Sequence, residues 1–298
     1  MTRASNSDAA CSAGGPAGRE ASRALSGSRF TRCAGGFRLV LLTFAPLLLG
    51  SGASAREPSA CATLYASGQP PAVVDPTRRK GSRQLCFRSF AVLHSGVTRS
   101  PLYAAEAITP DAARAAMAFD YRDNRFHPET RLPSSERAEL ADYVGSGFDR
   151  GHMAPSGDMS TPEDDFETFS LANMVPQAGA LNRSGWASLE QYVRSLAVTL
   201  GSVYVVTGPS YETQKLRTVG GRVLVPSHVW KAVYVPGQGA GAWIATNEAR
   251  SRWRVLSVAA LTARTGVDPF PALSAEEKRR VQNFPLFGEP EEDSSGRQ

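Results

Sequence analysis

One imidazole, one carboxamide, two guanidinium groups and one carboxylate follow one another along a short part of the chain. They lie in residues 149–155 (Asp-Arg-Gly-His-Met-Ala-Pro), in residues 173–177 (Asn-Met-Val-Pro-Gln) and in the segment from Asn182 to Glu190. A neutral imidazole with a pKa near the reference value of about 6.5 accepts a proton from water close to neutral pH. Magnesium prefers oxygen ligands and keeps several waters, and arginine grips phosphate oxygens in a fixed fork. These residue types together suit the metal-assisted cleavage of a phosphodiester.

The order and spacing of these residues resemble the signature of the DNA/RNA non-specific endonuclease family. This family belongs to the ββα-metal superfamily and includes secreted bacterial nucleases and relatives of mitochondrial endonuclease G. Downstream of the Asp-Arg-Gly-His run, the resemblance continues through four patterns: Asn173-Met174-x-Pro176-Gln177, Asn182-x-x-x-Trp186-x-x-x-Glu190, Thr207-Gly208-Pro209 and Val225-Pro226…Trp230-Lys231. It covers about residues 92–266 and is therefore specific.

The resemblance implies a role for each polar residue of the pattern. His152 is implied to be the general base, and Asn182 the direct ligand of Mg²⁺, with Mn²⁺ as an alternative ion. Glu190 corresponds to the family carboxylate that holds a magnesium-bound water. Arg150 belongs to the motif and is expected to help position the site.

An upstream arginine is expected to stabilise the transition state. Arg122 matches the family residue best, because Phe126 and Pro128 follow it at the right spacing, and Arg125 competes for the same role. The resemblance implies an enzyme that cleaves DNA and RNA with little sequence specificity and leaves 5′-phosphate ends. Two alternatives stay open: a catalytically silent nucleic-acid-binding module on the same scaffold, and a phosphodiesterase that acts on small esters.

Several of these residues also have structural interpretations. Asn182 could cap a helix, Glu190 could be a solvated helix carboxylate, and Arg150 could pair with Asp149 or Asp158. The two aspartates are assigned structural roles, because the resemblance gives direct ligation to the amide. A separate expectation is that the amide side chains of residues 173 and 177 hydrogen-bond to loop backbone.

The implied fold is α+β, with a central antiparallel β-sheet flanked by helices and an embedded ββα-metal (His-Me finger) motif. It places His152 at a strand end and Asn182 near the start of a helix, so that the two side chains meet over one ion. Apolar residues at intervals of three and four predict a helix over residues 182–199. On a regular helix, Asn182 and Glu190 would face the same side within about a quarter turn. A short helix over residues 134–143 and a buried strand over residues 169–175 are also predicted.

The ends of the chain differ in composition from its middle. Residues 1–38 are basic, an apolar run covers residues 39–49, and Ala-Ser-Ala ends at residue 55. This pattern predicts a cleaved signal over residues 1–55, a nuclease domain over residues 56–288 and a disordered tail over residues 289–298. The protein is then exported to the periplasm or outside the cell. A mitochondrial or other organelle transit peptide and an uncleaved anchor remain alternatives.

Charge and cysteine content limit the possible partners. The chain has 33 basic and 28 acidic residues, of which residues 1–55 hold six and two, leaving a net charge of +1 beyond the leader. Binding of a DNA or RNA substrate must therefore depend on local clusters of cations. Cys61 and Cys86 are predicted to form a disulfide, worth about 3 kcal/mol, or else remain free thiols.

Overall fold

Strands and helices alternate through the computed structural model, which describes residues 61–213 and 215–291. In chain order the strands are β1 (Ala72–Val73), β2 (Ser82–Cys86), β3 (Phe90–Ser95), β4 (Ser100–Ile108), β5 (Phe148–His152), β6 (Met174–Ala178), β7 (Val203–Ser210), β8 (Arg217–Val219), β9 (Val223–Val225), β10 (His228–Val235), β11 (Gly239–Thr246), β12 (Arg252–Leu256), β13 (Val267–Asp268) and β14 (Glu289–Pro290). The α-helical segments are α1 (Pro110–Ala118), α2 (Pro162–Thr168), α3 (Gly179–Leu181), α4 (Ala187–Leu200), α5 (Val258–Thr265) and α6 (Ala275–Arg279). A π-helical turn, Asn182–Trp186, joins α3 to α4.

Eight of these strands form one central sheet in the order β14-β12-β11-β10-β7-β4-β3-β2. Every neighbouring pair is antiparallel except β12 and β14. The prediction of an α+β fold with a central antiparallel sheet flanked by helices is therefore confirmed. Successive residues of a strand point to opposite faces, so Val205 belongs to the same apolar cluster as Leu189 of α4, while Val206 belongs to a second cluster with Leu261 of α5. Burial on both faces explains why the central strands are almost continuously apolar.

Two of the predicted site residues, Arg150 and His152, lie on β5, which pairs with β6 in a separate two-stranded sheet that we call the hairpin. In its antiparallel register His152 pairs with Met174, and Asp149 pairs with Gln177. Helix α2 lies between β5 and β6 along the chain, and helix α3 starts at the residue that follows β6. The pairing places residues 149–152 beside residues 174–177, which are two of the segments in the sequence pattern.

Two predicted elements differ from the structure. The buried strand expected over residues 169–175 begins only at Met174, because the Asn173 side chain donates to Ala154 O at 2.8 Å and accepts from Ala154 N at 2.9 Å, which fixes a 3-10 turn. The helix expected over residues 134–143 is reduced to a 3-10 turn over Leu140–Tyr143. The Asp142 carboxylate accepts a hydrogen bond from the Glu139 N–H at 2.8 Å, so the turn starts there.

A disulfide joins Cys61 to Cys86, as predicted, with the two Cα atoms 5.6 Å apart. It fastens the start of the described chain to the end of β2. The predicted leader, residues 1–55, lies outside the described residues. Within the part of the chain that the structure describes, no helix is both long and apolar enough to cross a bilayer.

The C-terminal segment packs against the helix that follows the hairpin. Strand β14 pairs with β12, and the Glu291 N–H donates to Trp253 O at 2.8 Å, so the prediction of a disordered tail is corrected for residues 289–291. Residues 292–298 lie outside the described residues. A Cβ atom on Gly185 of the π turn would lie 2.5 Å from Phe287 O, so glycine is required for this close approach. Trp243 Nε1 also donates to Pro285 O at 2.8 Å.

Candidate active site

An open cleft of about 500 Å³ lies beside β5 and the π turn. Polar and cationic side chains line one part of it: Arg122, Asp149, Arg150, His152, Asn182 and Arg183. Apolar and aromatic side chains line the rest, among them Phe126, Tyr143, Val144, Phe148 and Phe169. Four of the five predicted site residues, Arg122, Arg150, His152 and Asn182, therefore share one cleft.

His152 ends β5 and is held between aromatic rings. Its ring centroid lies 4.9 Å from that of Phe169, edge to face, and 5.8 Å from that of Phe126. Its Nε2 atom is buried and has no hydrogen-bond partner among the described residues. Burial, followed by the charges of Arg122 and Arg150, lowers the pKa of His152 to about 3. The imidazole is therefore neutral at neutral pH.

Asn182 is the first residue of the π turn, and its amide is held by a carboxylate. Nδ2 of Asn182 donates to Oδ2 of Asp149 at 3.0 Å. The other oxygen of Asp149 accepts a hydrogen bond from Arg183. Since the amide nitrogen is committed to Asp149, the carbonyl oxygen of Asn182 is the atom left to act as a ligand. Asn182 does not cap the helix, because α3 already begins at Gly179.

The structure separates the two candidate arginines upstream. Arg122 lines the cleft with His152. Arg125 instead donates from Nε to Oδ1 of Asp123 at 2.6 Å, and its guanidinium lies 5.2 Å from the centre of the Phe166 ring. Arg125 and Phe166 line a different pocket, so of the two candidates Arg122 is the one that lines the cleft.

Arg150 stacks on an aromatic ring and contacts neither aspartate that the sequence offered as a partner. Its guanidinium carbon lies 3.9 Å from the centre of the Phe126 ring. Asp158 is engaged elsewhere, because it accepts from Nη1 of Arg194 at 2.6 Å. The charge of Arg150 is therefore available to the cleft, and stacking fixes its plane.

Glu190 does not line the cleft. It lies on α4 in a largely buried group of charges with Glu106, Asp158, Arg194 and Lys231. Burial raises the pKa of Glu190 to about 7; Lys231 lowers it and Asp158 raises it. The π turn lies between the two residues, so Asn182 and Glu190 are not joined by regular helix alone, and that they face the same side stays a prediction.

Two charged residues behind the site were not singled out from the sequence. Lys231 is 1% exposed, and its ammonium donates to Thr207 Oγ1 at 2.7 Å. Glu106 is 2% exposed, and its Oε1 has no hydrogen-bond partner among the described residues. Glu106 could have been recognised in the sequence, because it is the one carboxylate in the otherwise largely apolar segment of β4. Lys231 could have been recognised because it belongs to one of the patterns that resemble the family.

The prediction that the side-chain amides of residues 173 and 177 hydrogen-bond to backbone is confirmed for Asn173 only. The Asn173 amide bonds to the backbone of Ala154 and of Thr168. Gln177 is fully buried, and its side-chain amide has no hydrogen-bond partner among the described residues. It packs instead against Gly151, where an added Cβ would lie 2.1 Å from Gln177 Oε1. The glycine of the Asp-Arg-Gly-His run therefore makes room for that side chain.

The donor set fits an ion held largely by water. Among the described residues, no group of three or more His, Cys, Asp or Glu side chains could hold a metal. Zinc sites need at least three such protein ligands, whereas Mg²⁺ keeps several waters and accepts one amide oxygen. The Asn182 carboxamide, oriented by Asp149, therefore fits Mg²⁺ chemistry.

The comparisons with known proteins place this chain among the nucleases. It belongs to the DNA/RNA non-specific endonuclease family, whose model matches residues 71–276. Nuclease C1 of Cunninghamella echinulata var. echinulata is 38% identical over 177 residues, covering 54% of this chain and 70% of that protein. The nuclease of Nostoc sp. is 42% identical over 123 residues, covering 40% of this chain and 44% of that protein.

Two comparisons concern endonuclease G. Human mitochondrial endonuclease G is 33% identical over 171 residues, covering 53% of this chain and 57% of that protein. This chain thus spans roughly half the length of the human and Nostoc relatives. A chain in the crystal structure of the EndoG/EndoGI complex is similar with a TM-score of 0.60 and 23% identity, covering 70% of this chain and 96% of that one. At that identity, the likeness establishes the fold alone.

Proposed function

We propose that this nuclease is a Mg²⁺-dependent endonuclease that cleaves DNA and RNA with little sequence specificity and leaves 5′-phosphate ends. The observation that carries the proposal is the meeting of a neutral imidazole and an oriented carboxamide in one cleft. His152 and Asn182 are 30 positions apart in the sequence, and both line the cleft together with Arg122 and Arg150.

His152 acts as the general base. Its Nε2 is enclosed, so Nδ1 is the nitrogen that can reach a water in the cleft. Nδ1 takes one proton from that water while the water oxygen attacks phosphorus. The low pKa keeps the imidazole unprotonated before the reaction, and the rings of Phe126 and Phe169 limit its rotation.

Asn182 would hold the metal ion through its carbonyl oxygen, with waters as the remaining ligands and Mn²⁺ as an alternative ion. When bound, the ion neutralises the charge that builds up on the phosphate oxygens. Asp149 contributes by holding the amide nitrogen, which turns the carbonyl oxygen away from itself.

Arg122 and Arg150 stabilise the added negative charge on phosphorus, and neither is neutralised by a carboxylate among the described residues. The bond from phosphorus to the 3′ oxygen breaks, and that oxygen takes a proton from water. Glu190 positions this water from behind the cleft, since its carboxylate does not line the cleft itself. The product ends are a 5′-phosphate and a 3′-hydroxyl.

The composition of the cleft supports low sequence specificity. Apart from Asp149, which accepts hydrogen bonds from Asn182 and Arg183, its charged groups are arginines suited to phosphate oxygens, which are the same at every nucleotide. Reading a base requires side chains that match base edges, and Asn124 is the one other amide side chain lining the cleft besides Asn182. Both DNA and RNA therefore satisfy the proposed contacts.

The test is digestion of plasmid DNA and of single-stranded RNA with and without a chelator. We expect cleavage that requires Mg²⁺ and that falls by at least about 10²-fold in the His152→Ala variant. Undiminished cleavage by His152→Ala would refute the base assignment. Binding without turnover by the unaltered protein would support the silent module, and hydrolysis of a chromogenic diester without cleavage of polymers would support the small-ester alternative.

Export of the mature protein to the periplasm or outside the cell is part of the same proposal. A mitochondrial location is the alternative, since relatives such as endonuclease G of Homo sapiens are named mitochondrial. Cell fractionation with N-terminal sequencing of the recovered protein separates the two. A new terminus next to residue 55 in the exported fraction supports export, and recovery from an organelle supports the alternative.

A further inference from the structure

A second cleft, of about 640 Å³, opens near the hairpin. The ends of β9, β10 and β11 form its floor, through residues such as Val225, His228 and Thr246. Three cations line it: Lys215 and Arg217, around the start of β8, and Arg252, at the start of β12. We call it the basic cleft.

The basic cleft and the catalytic cleft share a wall. The guanidinium of Arg217 lies 5.1 Å from the centre of the Phe148 ring, and Phe148 lines the catalytic cleft. On the other strand of the hairpin, Ala178 pairs with Phe148, and its N–H donates to Oδ1 of Asn247 at 2.7 Å. Asn247 lines the basic cleft, so two separate contacts connect the clefts across a single layer of side chains.

The three cations have no carboxylate within ion-pair distance among the described residues, whereas most arginines of the fold have one. Lys215, Arg217 and Arg252 are all exposed. Of the two acids that line the cleft, Glu291 is engaged by Arg264 at 3.3 Å, and Glu248 is exposed to water. The cleft therefore retains positive charge, although the chain beyond its leader is almost neutral.

We propose that the basic cleft binds the sugar-phosphate backbone of the substrate beyond the scissile phosphate. Lys215, Arg217 and Arg252 would contact successive phosphates of a strand that leaves the catalytic cleft past Phe148. This inference rests on the proposed function, because it takes the position of the scissile phosphate from it.

Continuity with the catalytic cleft identifies the occupant as a polynucleotide strand. A strand held at its scissile phosphate must continue in at least one direction, and Arg217 stands at the wall that it would cross. Exposed lysine and arginine side chains suit a repeating phosphate, because each contact releases condensed counterions and needs no fixed geometry. The exposed side chain of Leu216 adds apolar surface for a sugar or a base between them.

The experiment compares substrates of different length with a double variant, Lys215→Ala with Arg217→Ala. The substrates are a long single-stranded oligonucleotide and a chromogenic nucleotide diester that is too small to reach the basic cleft. The control is Arg79→Ala with Lys80→Ala, which removes the same two charges from an exposed turn remote in sequence from both clefts. Circular dichroism of all proteins establishes that each remains folded.

We expect the double variant to raise KM for the long substrate by about tenfold or more, and to leave kcat and the small diester unchanged. Binding of the long strand by the His152→Ala protein, measured between about 50 and about 200 mM salt, should show a slope shallower by about 1 to 1.4 once both cations are removed. The control pair should show neither effect.

Two results would overturn the inference: an equal loss for both substrates, or an effect no larger than that of the control pair. Failure of the proposed function would look different. In that case the unaltered protein would not cleave the long strand at all, whether or not the basic cleft binds it.

Discussion

Asp149 and Asn182 form a hydrogen bond in which Nδ2 of the amide donates to Oδ2 of the carboxylate at 3.0 Å. Asp149 lies on β5 and Asn182 in the π turn, so the bond connects the hairpin to the helical segment that follows it. It also distinguishes the two ends of an otherwise pseudo-symmetric carboxamide. The carboxylate of the Asp-Arg-Gly-His run thus holds the amide through one oxygen and Arg183 through the other.

Removing this acceptor tests its positioning role. In Asp149→Ala the amide of Asn182 loses its partner and can rotate, so we expect the half-saturating Mg²⁺ concentration to rise by about 10- to 100-fold. Activity measured over a Mg²⁺ titration gives this value, and saturating Mg²⁺ should restore part of the rate. Asp111→Ala, at an almost fully exposed aspartate on α1, is the control. An unchanged Mg²⁺ titration in Asp149→Ala would contradict the role.

The low pKa of His152 predicts how stability depends on pH. Its folded value is about 3, whereas an unfolded imidazole titrates near about 6.5. Between these values the unfolded chain binds a proton that the folded chain does not, so the stabilisation is complete above about pH 6.5 and is lost as the pH falls toward 3. His152→Gln removes this dependence.

Urea unfolding at about pH 7 and about pH 5 measures the effect. Between these two pH values we expect the free energy of unfolding of the unaltered protein to fall by roughly 1–2 kcal/mol more than that of His152→Gln. His127→Gln is the matched control, since it removes a histidine that lies outside the cleft. Equal losses in the unaltered protein and in His152→Gln would show that the imidazole titrates normally.

The separation of Arg122 from Arg125 predicts different kinetic effects for the two residues. Arg122→Ala should lower kcat by about 10²- to 10³-fold, because a donor to the developing charge is lost. Arg125→Ala should change kcat little, since its guanidinium is held by Asp123 outside the cleft. Single-turnover rates on a defined oligonucleotide compare the two. A larger loss in Arg125→Ala than in Arg122→Ala would reverse the assignment.

The buried ammonium of Lys231 predicts a cost in stability. Lys231→Met leaves the carboxylates of Glu106 and Glu190 without a buried cation that interacts with both, and breaking a buried charge pair costs about 3–5 kcal/mol in comparable sites. Adding Glu106→Gln to the same protein should recover part of this loss, as a double-mutant cycle in urea would measure. Lys80→Met, at an exposed position, is the control. An additive cycle would mean that Lys231 and Glu106 act independently.

The sequence predicted the elements that follow a strong local pattern. A capping box at Ser274 and Glu277 starts α6, and both of its reciprocal hydrogen bonds depend on neighbouring residues alone, so such an element is legible in the sequence. The three- and four-residue spacing of apolar residues predicted a helix over residues 182–199, and α4 occupies most of that range. The pairing of Cys61 with Cys86 was also predicted, since two cysteines remain after the leader.

What the sequence could not predict depends on contacts between distant residues. The π turn at Asn182 is one example, because no local pattern separates it from regular helix. Glu190 lies on α4 beyond this turn, in the group that contains Lys231 and Glu106. The stacking of Arg150 on Phe126 is another, since the two residues come from separate parts of the chain.

The close approach of Phe287 to Gly185 has a practical consequence for anyone shortening this protein. The family match ends at residue 276, yet the chain beyond it presses on the turn that presents Asn182. Trimming the protein to residues 71–276 would remove Phe287 together with Pro285, whose carbonyl accepts a hydrogen bond from Trp243. Such a fragment would keep every proposed catalytic side chain and still lose the segment that packs against the turn in which Asn182 lies.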